Sequence, residues 1–179
     1  MAGSLWAIAL LTSLFSVQGS PAADVWRPLE HLVGSWQGTG KGEPGVSRVE
    51  RSYERVLNGK FIYVKNKSIY EPQPKNPRGE VHEDWSLISY DLTRKQFVMR
   101  QFHVEGFVNQ YVLEKMDSEG RNFVFSSEAI ENIAPGWRAR ESYKILNEDE
   151  FIETFELAPP GKDFATYTEN HFKRKPGTR

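Results

Sequence analysis

Cysteine is absent from all 179 residues. That excludes disulfide staples, thiol nucleophiles, iron–sulfur ligation and cysteine-type zinc sites. Any domain here must hold together by packing alone. Net charge is nearly absent as well. Lys and Arg together number 23 and Asp and Glu 24, so no overall field draws the chain toward nucleic acid or an anionic membrane. The common catalytic signatures are missing: there is no Gly-x-Ser-x-Gly, His-Glu-x-x-His or phosphate loop. Glu83 and Asp84 are adjacent, so in a strand they point to opposite faces and cannot work as a carboxylate pair. These absences favour binding over catalysis.

A long apolar run is also lacking. Leu5 to Val17 is uncharged and apolar, but it falls short of the roughly 20 residues a membrane span needs. Gln18-Gly19-Ser20-Pro21-Ala22-Ala23 follows it, and no Asp, Glu, Lys or Arg precedes Asp24. The pattern reads as a signal peptide over 1–23, cleaved after Gly19 or near Ala22–Ala23, with an uncleaved anchor as the alternative. The expectation is an exported protein, periplasmic or secreted, with 24–179 as one domain and no membrane span after cleavage. Asn66-Lys67-Ser68 is a formal glycosylation sequon, meaningful in a eukaryotic secretory setting.

What is present points to strands. Gly34-Ser35-Trp36-Gln37-Gly38-Thr39-Gly40-Lys41-Gly42 places glycine at alternate positions with one tryptophan in the series. On a strand those positions share a face. Glycine inside a strand marks a bend or a close approach of another group, so this strand should curve sharply and let a neighbour press against it. Before it, Pro28 to Val33 predicts a short helical turn that Gly34 ends. After it, Leu57-Asn58-Gly59-Lys60 sits between extended runs Val46–Val56 and Phe61–Tyr70, a strong hairpin signal. The proline-rich Glu71 to Gly79 is the longest loop. Further strands are expected at Val81–Tyr90, Phe97–Val104, Phe107–Met116, Asn122–Glu131, Arg138–Leu146, Phe151–Leu157 and Ala165–Lys173. About ten strands joined by hairpin-length turns predict an all-β, antiparallel up-and-down barrel. An aromatic content of 13 % suits a packed or ligand-lined interior. A mean hydropathy of −0.58 fits a water-soluble domain.

Several strands carry apolar residues on both faces. Phe97, Met99, Gln101 and His103 share one face of their strand, which suggests an amphipathic cavity with His103 as a polar handle. Trp36 reads as a floor or cavity base. Trp85, Met99, Tyr111 and Phe125 lie mid-strand, where core and pocket wall can be one surface in a small barrel. His31 and His82 sit beside acidic residues and read as surface. Arg138, Arg140 and Lys144 share a face that is either solvated or able to meet a carboxylate.

The series Gly34-x-Trp36-x-Gly38-x-Gly40-x-Gly42 resembles the opening signature of nitrobindin-like haem-binding β-barrels. More broadly, Gly-x-Trp after a helical turn is similar to the pattern shared by the calycins, which include lipocalins and fatty-acid-binding proteins. The resemblance implies a structural role for Gly34, Gly38, Gly40 and Gly42. It also implies a basic residue of the last strand, Arg174 or Lys173, packed over Trp36. From the nitrobindin side it implies haem b held by His171, with nitric oxide or peroxynitrite chemistry. The bland reading of His171 is a strand histidine among charged neighbours.

Three functions follow. The first is an exported barrel enclosing a small apolar or amphipathic ligand, with Trp36, Trp85, Met99, His103, Tyr111 and Phe125 as its wall. The second is a haem protein using His171. The third is a filled barrel serving a structural or partner-binding role.

Overall fold

The computed structural model describes residues 24–178; the signal-peptide expectation for 1–23 lies outside the described residues. A 3-10 turn, Arg27–Leu32, leads into ten strands. They are β1 Gly34–Gly42, β2 Gly45–Val56, β3 Phe61–Tyr70, β4 Glu80–Asp91 and β5 Gln96–His103. Then come β6 Val108–Met116, β7 Asn122–Glu131, β8 Arg138–Asn147, β9 Glu150–Ala158 and β10 Ala165–Arg174. Each strand pairs antiparallel with its sequence neighbours, and β1 pairs with β10 to close the ring. Among the described residues no helix is long and apolar enough to cross a membrane.

Closure depends on the glycine strand. Gly38 faces Val49 on β2 and Phe172 on β10. A Cβ built on Gly38 would overlap the backbone carbonyl of His171. Only hydrogen fits there, and β10 therefore lies against β1 more closely than a side chain permits. The β2–β3 connection behaves as its sequence predicts. Asn58 and Gly59 have φ of 55° and 72°, and Lys60 N–H donates to the Leu57 carbonyl. Positive φ at both central residues is what a I′ hairpin turn requires.

The interior has three tiers. At one end the 3-10 turn plugs the barrel with Trp26, Leu29 and Leu32, all buried. Above the plug lies an aromatic floor that includes Trp36, Tyr53, Phe125, Phe151 and Phe172. Trp36 packs edge-on against Phe151 at 4.7 Å and donates its indole N–H to the Leu32 carbonyl at 2.7 Å. Arg174 lies 4.1 Å over the Trp36 ring and donates to the carbonyls of His31 at 2.6 Å and Val33 at 2.8 Å. One cation thus covers the indole and satisfies carbonyls at the end of the turn, where positive charge is favoured.

The second tier is a belt of buried polar side chains, and the third is an open mouth.

Candidate functional site

Inward positions at mid-barrel height carry Arg51, Asn66, Asp84, Gln101, Asn109, Glu153 and Asn170, each nine-tenths or more buried. They form one chain of hydrogen bonds around the wall. Asn170 donates to Glu153 at 2.7 Å, and Arg51 reaches the same Glu153 oxygen at 3.5 Å. Arg51 also donates to Asn66 at 2.9 Å, and Asn66 donates to Asp84 at 2.8 Å. Gln101 donates to the other Asp84 oxygen at 3.0 Å, and Asn109 donates to Gln101 at 3.4 Å and to the Tyr111 hydroxyl at 2.8 Å. The Arg51 guanidinium lies 4.7 Å over the Phe172 ring on its way to Glu153. β1 separates β2 from β10, and its inward positions along this stretch are glycines. The absent side chains leave room for Arg51 to cross. Buried polar groups are costly unless paired, and a belt joined from strand to strand in this way rigidifies the wall.

Above the belt is a cavity of about 330 Å3. Its lower wall is the belt, and its rim is mainly apolar, with Phe107, Ile130, Ile133, Trp137, Phe155 and Leu157 beside the carboxylates of Glu80 and Glu105. The rim comes from strand ends and from the β5–β6 and β7–β8 connections, at the end of the barrel opposite the plug.

Two histidines stand where belt meets rim. His82 and His103 line the cavity with their rings 5.6 Å apart, and His103 stacks on Phe107 at 4.0 Å. His82 Nδ1 meets Glu105 at 2.8 Å and Nε2 lies 3.5 Å from Asp84. Burial would lower the His82 pKa, but hydrogen bonds to Asp84 and Glu105 outweigh it and raise it to about 9. Burial would likewise push Asp84 up, but the His82 hydrogen bond and the Arg51 charge bring it down to about 2. His103 goes the other way: burial lowers it to about 4, and the nearby Asp84 charge only partly opposes this. Glu141 is held up at about 8 by burial and then by the Glu153 charge, and it accepts a hydrogen bond from the Tyr143 hydroxyl at 2.7 Å. These shifts favour the cationic form of His82, the ionised form of Asp84, the neutral form of His103 and the protonated form of Glu141.

Of the residues expected to line a pocket, His103 does so. Trp36, Met99, Tyr111 and Phe125 point inward but belong to the floor beneath the belt. Trp85 is a correction: Asp84 and Ser86 take the inward parity of β4, so the indole stands outside, 58 % exposed, edge-on to Tyr63. His171 is another. Asn170 and Phe172 face inward on β10, so His171 is exposed on the outer surface and cannot reach an iron inside the barrel. The residues do not fit haem held by His171. His82 and His31, read as surface, are half-buried, the first in the cavity and the second against Phe123 in the plug. Burial first and then the Arg174 charge lower His31 to about 4. The Asn66 side chain is spent inside the barrel on Arg51 and Asp84, so the sequon is closed to glycan in the folded state. Arg140 stays on the outer face, paired with Glu156 at 2.7 Å.

The fold and site define a closed ten-stranded antiparallel barrel, plugged at one end and hollow at the other. No protein-family model matches the chain, and no curated protein matches it in sequence. Among solved structures it is similar to the crystal structure of Rv2717c from M. tuberculosis. The TM-score is 0.67 at 17 % identity, covering 86 % of this chain and 98 % of that one. A redesigned β-barrel aligns at a TM-score of 0.43 and 10 % identity, over 83 % of this chain and 96 % of its own. At such identities the first likeness is one of fold.

Proposed function

We propose that this protein is an exported carrier or sensor that encloses one small amphipathic molecule at the mouth of its barrel. The observation that supports it is the two-toned cavity: about 330 Å3 with polar side chains below and aromatic and aliphatic ones at the rim. Pockets for small molecules are concave, largely preformed, mainly apolar, and carry a few placed polar groups. A polar head would descend to Gln101, Asn109 and Asn170, and an apolar body would rest on Phe155, Leu157 and Trp137. The floor is filled, so the ligand occupies the upper half alone. Export rests on the apolar, uncharged segment that ends before Asp24.

Titration of an anionic fluorescent amphipath, anilinonaphthalene sulfonate, into the folded protein with a chelator present tests this reading. Saturable binding of one probe per chain is expected, with energy transfer from Trp137. Leu157→Trp, which fills the rim, should weaken binding at least tenfold. Binding unchanged by that substitution would place the probe elsewhere and overturn the proposal.

A further inference from the structure

We propose that His82, Asp84 and His103 form a binding site for a divalent transition-metal ion, with its open coordination positions facing the cavity. One ring nitrogen from each histidine and one carboxylate oxygen of Asp84 lie within 4.8 Å of one another. Two imidazoles and a carboxylate with positions left open suit zinc or ferrous iron.

The arrangement follows from strand geometry. Asp84 on β4 and His103 on β5 are direct cross-strand partners. His82 lies two residues before Asp84 and so shares its inward face. One hairpin therefore presents all three donors to the same side.

The surroundings hold these donors as metal ligands are held. Ligating histidines usually give their second ring nitrogen to a carboxylate or carbonyl. His82 has Nδ1 on Glu105 at 2.8 Å, which leaves Nε2 turned toward Asp84, where a bound metal ion would displace the Nε2 proton to solvent. That Nε2 to Asp84 separation is 3.5 Å, longer than the ~2.8 Å of a charge-assisted hydrogen bond. Asp84 is fixed from behind by Asn66 and Gln101. Asn66 is itself fixed by accepting a hydrogen bond from Arg51.

Two atoms in this corner are buried without a partner: His103 Nδ1 and Asn109 Oδ1. Asn109 is 1 % exposed, lines the cavity, and lies 3.1 Å from His103 Nε2 through its amide nitrogen. Amide oxygen and nitrogen can exchange places without moving the chain. Turned over, Asn109 would accept from a His103 Nε2–H and from the Tyr111 hydroxyl, in place of its 3.4 Å donation to Gln101. His103 Nδ1 would then carry a lone pair with nothing else to bind. A cation is the partner this corner lacks.

The site does not depend on the amphipathic-ligand proposal, because it is read without any organic ligand. The chain contains four histidines, so imidazole 15N–1H spectra of the intact folded protein report on every one. With one equivalent of zinc, His82 and His103 resonances should shift and saturate, while His31 and His171 stay in place. Calorimetry should give one ion per chain. His103→Gln should raise Kd at least 100-fold, and Glu105→Gln by about 10- to 100-fold through lost orientation of His82. His171→Ala should leave Kd unchanged. Shifts confined to His31 or His171, or no saturable shift at millimolar zinc, would overturn the proposal. The spectra of the unsubstituted protein decide the matter even if a variant fails to fold.

Discussion

At the scale of single residues, Arg51 carries the most consequence. Its guanidinium is the buried cation that Glu153, Asn66 and the Phe172 ring share. Removing one partner of a buried charge pair leaves the other uncompensated, at about 3–5 kcal/mol. Arg51→Met should therefore lower the urea midpoint sharply. The double change with Glu153→Gln should recover part of the loss, because it also removes the stranded charge. Full additivity in that cycle would show that the two side chains do not interact.

Glu141 gives a second residue-level prediction, in pH. In the fold, burial and then the Glu153 charge raise its pKa to about 8, against the ordinary 4.5 of the unfolded chain. Between these values the folded state binds more protons, so this group's contribution to stability is full below 4.5 and is lost as pH rises toward 8. Glu141→Gln should melt with a flatter dependence on pH over that window. An unchanged slope would mean that Glu141 is ionised in the fold.

At the scale of elements, β1 is the strand that the ring cannot thicken. Gly38→Ala should cost about 1–3 kcal/mol by overpacking against the His171 carbonyl, read as a lower melting temperature. The plug is the matching element at the closed end. Arg174→Ala should loosen it, removing both the cover on Trp36 and the donors to the turn carbonyls. Trp36 fluorescence should shift red and the melting temperature should fall. A variant with unaltered emission would show that the indole is held by Leu32 and Phe151 alone.

The elements were legible from the residues because the signals are local. Asn58-Gly59 needed only its own φ preference to mark a turn, and the glycine series needed only strand parity to mark a curved face. Parity also gave the correct inward face of β5, with Phe97, Met99, Gln101 and His103 together. Trp85 misleads because its bulk suggests a core position, whereas the inward parity of β4 belongs to Asp84 and Ser86. The belt was hidden for a different reason. Asn66, Asp84, Gln101, Glu153 and Asn170 are each an ordinary polar residue in its own strand. They become one network only when the registers of β2 through β10 stack them at one height, and no single strand contains that information. His82 shows the same limit. Its acidic neighbours look like surface company, yet one of them, Asp84, is buried beside it.

At the scale of the whole molecule, polarity is graded along the barrel axis, from apolar plug and floor, through charged belt, to oily rim. Deleting the plug residues should therefore destabilise the fold, while rim substitutions such as Ile133→Ser should leave the melting temperature within about 1 °C and change ligand affinity instead. Equal losses of stability from the two kinds of change would contradict this division.

The up-and-down path has a further consequence. Successive strands reverse direction, so every second connection lies at the mouth and none of these passes beneath the floor. The β5–β6 connection with Phe107 and the loop carrying Ile133 and Trp137 line the cavity, and each can lengthen or change composition without disturbing plug or belt. Selection can act on what the protein recognises almost independently of whether it folds, and a designer exchanging only these loops would inherit the same freedom.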